Sequence, residues 1–175
     1  MVKNYDLRLK GFVGYWDFDS DYVDYILDKF ADRKVDVLID STGGQLASAL
    51  SISAAFKNHG DVHVHFVSMN ASAATIASLG AKVITMDSQA HYLVHRCSAY
   101  ICSFDNLNAE QIEAKCQELQ KTKADLEKFD ISIAAADARR CKKSVEELHA
   151  LMAKDTWLTA EEALAWGFID EITDF

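Results

Sequence analysis

A serine between a strand pattern and a helix pattern is the residue in this sequence best placed to do chemistry. Ser72 lies in MNASAATIASLG (residues 69–80), after an apolar strand pattern over 62–67 and before small residues that favour a helix. The first turn of a helix offers unpaired N–H groups and the positive end of the helix dipole, which stabilise a developing negative charge. A serine at this place is also the usual helix N-cap, so its position alone leaves capping and catalysis open.

Catalysis by a serine needs a base, a group that orients the base, and N–H donors for the oxyanion. His95 ends a later strand pattern, and Asp155 lies in the turn before a capped helix. Gly43-Gly44 follows a neighbouring strand, where the missing Cβ lets the backbone approach a substrate. Each of these residues also has an ordinary structural explanation, as a core histidine, a loop acid or a turn. His91 is a rival base, because it lies on the same strand face as His95.

Strand and helix patterns alternate in the first half of the chain. This alternation is typical of βαβ units, which build a mostly parallel sheet with helices on its faces. Reactive groups in such sheets collect at the carboxyl ends of the strands, which is where Gly44, Ser72 and His95 fall. We expect a glycine-containing turn over 40–44 and a left-handed helix stop at Gly80. Strands are predicted over 7–16, 35–39, 62–67, 82–86, 91–95 and 168–172, and helices over 20–30, 45–58 and 73–79.

A long charged helix is predicted from Leu107 to about Arg140. Its length is roughly three times the average for globular proteins, so we expect it to project and its apolar residues to need a partner. Two later S/T-x-x-E capping boxes, at Ser144 and Thr159, predict two further helices. We therefore expect a single domain over 1–175, with a head formed by 1–106 and 141–175 and a handle helix over 107–140.

The composition excludes several classes of protein. A net charge of −9 and a pI near 5.0 argue against nucleic acid or an anionic membrane as the main partner. No apolar run is long enough to span a bilayer, and the first residues lack the pattern of a secretory signal, so we expect a cytoplasmic protein. The four cysteines show no C-x-x-C spacing, and no metal motif is present. We predict reduced thiols, no metal and no cofactor.

Four separated motifs resemble those of the proteolytic subunit of the Clp serine peptidases. VLIDSTGGQLASAL resembles the strand, N-S-P-G-G and helix of that family, and SMNASAAT resembles its G-x-A-A-S nucleophile motif. YLVHRC resembles its M-I-H strand, and DTWLTAEEALAWGFIDEI resembles its C-terminal motif. The match runs in order from about Val35 to Ile172. It is most similar to the short phage and prophage forms that are linked to capsid maturation.

The resemblance implies a ClpP/crotonase-like α/β fold and a site made of residues from several elements. Ser72 would be the nucleophile, His95 the general base, and Asp155 the residue that orients His95. The backbone N–H groups of Gly44 and Ala73 would form the oxyanion hole. The implied substrate is a peptide or protein.

The resemblance also implies a homo-oligomeric ring, with the helix over 107–140 acting as the handle by which two rings stack. The N-terminus is shorter than that of housekeeping members, whose extra residues form the loops that meet an unfolding ATPase. Whether an AAA+ unfoldase docks therefore stays open.

The sequence departs from the family pattern at five positions. Ser68 stands in place of a glycine and Asn70 in place of an alanine, while Thr42 replaces a proline and Asp40 an asparagine; Cys141 stands where many relatives have glycine after the handle. A Cβ at position 68 is expected to crowd the turn, and an acid at position 40 to perturb it.

Three functions follow from these observations. The first is a serine endopeptidase that acts by Ser-His-Asp acyl transfer inside a ring, as a prophage capsid-maturation protease. The second is a catalytically silent ring subunit or scaffold of the same fold, suggested by Ser68 and Asn70. The third is an acyl-CoA enzyme of the related crotonase fold, which ranks last because no glutamate lies between Ile39 and Leu107.

Overall fold

The structure, a computed structural model, describes residues 4–102 and 106–174; the other residues spanned by the predicted domain, 1–3, 103–105 and 175, lie outside the described part. The strands are β1 (Leu7–Val13), β2 (Val35–Gly44), β3 (Val62–Phe66), β4 (Met69–Ala71), β5 (Val83–Asp87), β6 (His91–Val94), β7 (Thr156–Leu158) and β8 (Glu171–Thr173). The helices are α1 (Ser20–Lys29), α2 (Leu46–His59), α3 (Ala73–Ser78), α4 (Ala109–Cys141), α5 (Val145–Met152) and α6 (Ala160–Trp166).

The larger sheet has five strands in the order β1-β2-β3-β5-β8, and every neighbouring pair is parallel. Its central strands are short apolar runs rich in β-branched residues, as expected where helices cover both faces. Buried aromatic and aliphatic side chains fill the space between the sheet and the helices. The mostly parallel α/β fold predicted from the sequence is confirmed.

A smaller sheet has the strand order β4-β6-β7. Three candidate site residues lie directly beside its strands: Ser72 follows β4, His95 follows β6 and Asp155 precedes β7. β4 runs parallel to β6, and β7 runs antiparallel to it. The strands β4 and β7 have three residues each, too few to leave a hydrophobic period in the sequence, and neither was predicted. Pairing with β6 is what makes these segments strands.

Several of the expected boundaries are wrong. The first strand ends at Val13 and not at residue 16, because Trp16–Phe18 form a short 3₁₀ helix, and the last strand is Glu171–Thr173 and not 168–172. The turn expected over 40–44 is the end of β2, because this segment pairs with β1, in the register Phe12 to Gly43 and Val13 to Gly44. Gly80 is not the left-handed stop of α3. A Cβ at Gly80 would lie 1.8 Å from the carbonyl oxygen of Ser53, so glycine is required here by the close approach of α2.

The helix α4 has 33 residues and is the long helix expected from the sequence, although it begins at Ala109, two residues later than predicted. Its buried residues all lie in the second half, from Asp130 onward, so the first half projects from the head. The left-handed residue that ends α4 is Lys142, with φ of 52°, and not Cys141, where a glycine was expected. Within 4–102 and 106–174, no helix is long and apolar enough to cross a membrane.

Candidate active site

Ser72 has a backbone conformation that side-chain-bearing residues rarely adopt. Its φ of 59° and ψ of −129° fall in a region that is almost confined to glycine. Its side chain makes no capping hydrogen bond to α3, which begins at the next residue. Ser72 is therefore not a side-chain N-cap, and its hydroxyl remains available for chemistry at a strained turn.

The strained turn is held by contacts to two neighbouring elements. The Ser72 N–H donates to the carbonyl oxygen of Leu93 in β6 (3.2 Å), and the Thr75 hydroxyl donates to the carbonyl oxygen of Ser72 (2.7 Å). A Cβ on Gly43 would lie 2.7 Å from the Cβ of Ser72, so the end of β2 packs directly against the serine. Gly43 is therefore needed for packing against Ser72. The sequence alone does not show that the two glycines of the pair have different roles.

One cavity of about 260 Å³ lies next to the Ser72 hydroxyl. Four of the five residues predicted for the site line it: Ser72, His95, Gly44 and Ala73. They come from the turn before α3, the end of β6 and the end of β2, so the smaller sheet and β2 together assemble the cavity. His91, the rival base, is not among the lining residues.

Asp155 is not among the residues that line the cavity. It is exposed, has φ of 51°, and immediately precedes β7. Since Thr156 pairs with Val94, the backbone of Asp155 lies near the end of β6 that continues into His95. Among the described residues, however, Asp155 and His95 form no hydrogen bond or ion pair.

The opposite wall of the cavity belongs to α4, which contributes Leu126, Phe129, Ile133 and Asp137. The spacing of these residues places them on one face of the helix. The three apolar members follow the pattern that the sequence predicts for a buried stripe. The long handle helix therefore does more than project, since its second half closes the cavity that contains Ser72.

A buried aspartate ties the segment after His95 to α4. Asp130 Oδ1 accepts a hydrogen bond of 2.7 Å from the Cys97 N–H, and Asp130 is 5% exposed. Burial and the neighbouring Asp130 raise the pKa of the Cys97 thiol to about 11, so this cavity-lining thiol stays protonated near neutral pH. A protonated thiol is a poor nucleophile, so Cys97 does not replace Ser72 as the candidate nucleophile.

Asp137 is the second acid that reasoning from sequence missed. It is 2% exposed, and burial raises its pKa from 3.8 to about 7. Its Oδ2 has no hydrogen-bond partner among the described residues. The signal that could have found it is an acid four residues after Ile133 and eight after Phe129, on the apolar face of the helix.

The match to known families decides which group of proteins this chain is part of. Residues 25–175 match the model of the family described as Clp protease. The chain belongs to the Clp protease family. Cysteine, histidine, aspartate and glutamate residues of the described chain form no group of three or more that could hold a metal ion.

Curated relatives within the Clp protease family are about one-third identical to the chain. The ATP-dependent Clp protease proteolytic subunit of Streptococcus gordonii is 33% identical over 143 residues, which cover 80% of this chain and 68% of the relative. The subunit of the same name from Streptococcus equi subsp. equi is 30% identical over 145 residues, covering 81% and 69%.

Solved Clp structures show the same fold. ClpP1 from Listeria monocytogenes matches with a TM-score of 0.76 at 17% identity, and a mutant of it with 0.79 at 18%; each match covers 97% of this chain and 91% of the other.

Two of the departures from the Clp motif form specific contacts in the fold. Asn70 is fully buried; its Oδ1 accepts from the Ser41 N–H (3.3 Å) and its Nδ2 donates to the carbonyl oxygen of Val67 (2.7 Å). It therefore joins β4 to β2. The acid expected to perturb the turn, Asp40, pairs with Lys10 at 3.2 Å within the β1–β2 ladder.

Ser68, the third departure, adopts φ of 61°, a left-handed conformation that a serine enters at some cost. Its carbonyl oxygen accepts a hydrogen bond of 2.8 Å from the His91 N–H. The chain thus accommodates a Cβ where the Clp motif has glycine, at a second strained position four residues before Ser72.

Proposed function

We propose that this protein is a serine endopeptidase that cleaves peptide bonds by acyl transfer. The observation that carries the proposal is Ser72, whose strained backbone and uncommitted hydroxyl lie in one cavity with His95. A nucleophilic serine needs an uncommitted hydroxyl and an imidazole within reach, and two residues that line one cavity can provide them. The two streptococcal relatives are named proteolytic subunits, which supports the same activity.

In the proposed mechanism, Ser72 Oγ attacks the carbonyl carbon of the scissile bond while His95 takes the hydroxyl proton. The carbonyl π electrons move to oxygen, and the resulting oxyanion accepts hydrogen bonds from the N–H groups of Gly44 and Ala73. Collapse breaks the C–N bond, and His95 gives its proton to the leaving amine. A water that His95 deprotonates then hydrolyses the acyl-enzyme and restores Ser72.

Asp155 is the proposed orienting group of His95. The support is the β6–β7 pairing, which brings the residue before Thr156 beside the end of β6. Catalytic hydrogen bonds often tighten only in the working complex, so we expect the contact to form in the assembled enzyme. Replacing Asp155 by asparagine is expected to lower kcat much more than it raises KM.

We also propose a homo-oligomeric ring, stacked through the handle, that acts in the cytoplasm on a protein substrate. The exposed apolar side chains on the first half of α4 support the assembly, and the free thiols of all four cysteines suit a reducing compartment. The resemblance of the motifs to phage and prophage members suggests a capsid protein as the substrate. Neither part of this proposal depends on an AAA+ unfoldase.

A fluorophosphonate probe, which reacts with activated serines, tests the proposal on oligomers separated by size. We expect covalent labelling of the wild type and none of Ser72→Ala, with the modified peptide containing Ser72. The matched control is Ser98→Ala, since Ser98 lines the same cavity and should leave labelling unchanged. An assembled wild type that resists the probe would overturn the proposal.

A second candidate function is a catalytically silent subunit or scaffold of the same ring. The observation that favours it is the missing hydrogen bond between Asp155 and His95 in the described chain, together with the strained Ser68. This candidate predicts assembly without probe labelling. The probe experiment therefore separates the two functions directly.

A further inference from the structure

From Phe129 onward, the α4 residues that line the cavity beside Ser72 become more buried along the helix, and we call the part near Phe129 its open end and the part near Asp137 its closed end. Phe129 is 47% exposed, Ile133 is 6% exposed and Asp137 is 2% exposed, so burial increases along the helix towards Asp137. The cavity is therefore lined by apolar side chains on its α4 side and ends at a carboxylic acid. A lysine or arginine side chain has the matching form, an apolar stem with a charged end.

The acid at the closed end lacks a partner of its own. Asp137 Oδ2 is buried and forms no hydrogen bond with any described residue. Buried carboxylates are normally paired or hydrogen-bonded, because removing them from water is costly. An unpaired acid at the end of a cavity next to the nucleophile is therefore a place where a ligand cation would be stabilised.

The groups packed around Asp137 are uncharged near neutral pH. Tyr92 from β6 is buried, and its pKa is raised well above 10 by burial and by Asp137. The pKa of Cys141 on α4 is raised to about 12, first by burial and then by Asp137. From α3 the Thr75 hydroxyl also lines the cavity, and it donates to the carbonyl oxygen of Ser72.

The nearby cations are occupied elsewhere or lie at the other end of the cavity. Arg140 follows Asp137 by three residues, but its guanidinium binds Asp170 and the carbonyl oxygens of Phe168 and Ala81. Arg96 lines the same cavity and is exposed, and neither it nor His95 pairs with Asp137 in the described chain.

We infer that the cavity is a specificity pocket in which Asp137 selects a lysine or arginine side chain on the residue whose carbonyl Ser72 attacks. This inference rests on the peptidase function proposed above. The substrate stem packs on Phe129 and Ile133, and its cation pairs with the Asp137 carboxylate. The preference is set by charge, so an uncharged side chain of the same length binds less well.

The preference depends on pH because only the ionised acid attracts a cation. Burial raises the pKa of Asp137 to about 7, so the ionised fraction increases about tenfold between about pH 6 and about pH 8. Any effect of pH on the reaction step acts on both substrates of the same enzyme alike. A ratio of kcat/KM values for two substrates therefore reports Asp137 alone.

The test uses two fluorogenic peptides that differ only at the residue before the cleaved bond, lysine in one and norleucine in the other. We expect the wild-type oligomer to favour lysine, with a kcat/KM ratio that rises several-fold from about pH 6 to about pH 8. In Asp137→Asn the ratio should fall about tenfold or more and lose its pH dependence, and Asp137→Leu should favour norleucine. The control Glu127→Gln, an exposed acid on the same helix, should match the wild type.

Binding of 4-aminobenzamidine to Ser72→Ala tests the pocket without the chemistry. We expect fluorescence-detected binding that tightens as pH rises and is lost in Ser72→Ala/Asp137→Asn. Such binding in a protein that resists the fluorophosphonate probe would support the pocket while the peptidase proposal fails. Cleavage that favours norleucine equally in the wild type and Asp137→Asn would overturn the pocket while the peptidase proposal stands.

Discussion

The two walls of the cavity are built in different ways. The head wall, defined by Gly44, Ser72 and Ala73, is shaped by the strained backbone of Ser72 and by the close packing of Gly43 behind this serine. The α4 wall is a regular helix, and only its side chains enter the cavity. A substitution in the head wall is expected to change the shape of the backbone. A substitution in the α4 wall changes only a side chain that lines the cavity.

In the proposed function, the head wall carries out the reaction and the α4 wall selects the substrate. The head wall holds the proposed nucleophile and the proposed oxyanion donors, so we expect it to tolerate little change. Position 137 of the α4 wall can hold either an apolar residue or an aspartate without moving Ser72, since the helix backbone stays regular. A common fold can therefore keep its reaction and vary its substrate by changes on one helix face.

The largest effect is expected in the head wall, at Ser72. Ser72→Ala and Ser72→Gly should each lower kcat/KM by roughly 10⁴-fold or more in peptide cleavage. The backbone angles of Ser72, φ of 59° and ψ of −129°, suit glycine. The free energy of unfolding of Ser72→Gly should therefore be about 1 kcal/mol larger than that of Ser72→Ala. Urea denaturation measures this difference, and an equal or lower stability of the glycine variant would show that the strain is absent.

The next effect concerns the buried acid of the α4 wall. The pKa of Asp137 is raised from 3.8 to about 7, so the folded state keeps a proton that the unfolded state releases between these values. Asp137 therefore costs stability increasingly as pH rises, and the full cost is present above about pH 7, up to about 4 kcal/mol. The protein should be more stable when Asp137 is protonated.

Asp137→Asn should remove most of this pH dependence. Its free energy of unfolding should exceed that of the wild type at about pH 8, with a smaller difference at about pH 5, by urea denaturation. Glu127→Gln, which changes an exposed acid of α4, is the control and should shift neither value. A constant difference between the wild type and Asp137→Asn at both pH values would contradict the raised pKa.

A smaller effect is expected where the two walls are joined, at Asp130. Asp130→Ala leaves the Cys97 N–H without its 2.7 Å partner and should cost about 1–3 kcal/mol of stability, with a lower kcat because the segment after His95 is loosened. Asp130→Asn keeps an oxygen acceptor and should recover most of both. Asp125→Ala, which removes a partly exposed acid of α4 that pairs with Lys128, is the matched control. A loss in that variant equal to the loss in Asp130→Ala would contradict the role given to the hydrogen bond between Asp130 and the Cys97 N–H.

The smallest effect on folding is expected in the projecting half of α4. Ile112 and Leu119 are 51% and 36% exposed, and replacing both with glutamate should change the free energy of unfolding by less than about 0.5 kcal/mol. The same pair should shift the protein to a smaller species in light scattering, because the proposed stacking surface is lost. An unchanged mass would place the assembly contacts elsewhere.

Much of the fold follows from local patterns that can be recognised in the sequence alone. The helix α6 begins where the Thr159 capping box predicts a helix, and Gly167 closes it in a left-handed conformation. The parallel strand and helix order follows from the alternation of apolar periods. Such features involve residues close in sequence, so the amino acids themselves carry the information.

The sequence, through its resemblance to the Clp family, also named Ser72, His95, Gly44 and Ala73, and these residues meet in one cavity. The role of Asp155 stays a prediction, since its side chain lies outside that cavity. Asp130 and Asp137 could not be assigned, because an acid in a charged helix is ordinarily solvated. Only the packing of α4 against the head buries these two.

What the sequence alone determined is the helices α1 to α6, the strands other than β4 and β7, the order of these elements, and the candidate nucleophile with its partners. Only the tertiary structure decided that Ser72 does not cap its helix and that β2 continues to Gly44. It also decided that an unpaired acid closes the cavity. The physical reason is that backbone strain, strand pairing and burial depend on neighbours distant along the chain, and residue types at short range do not encode them.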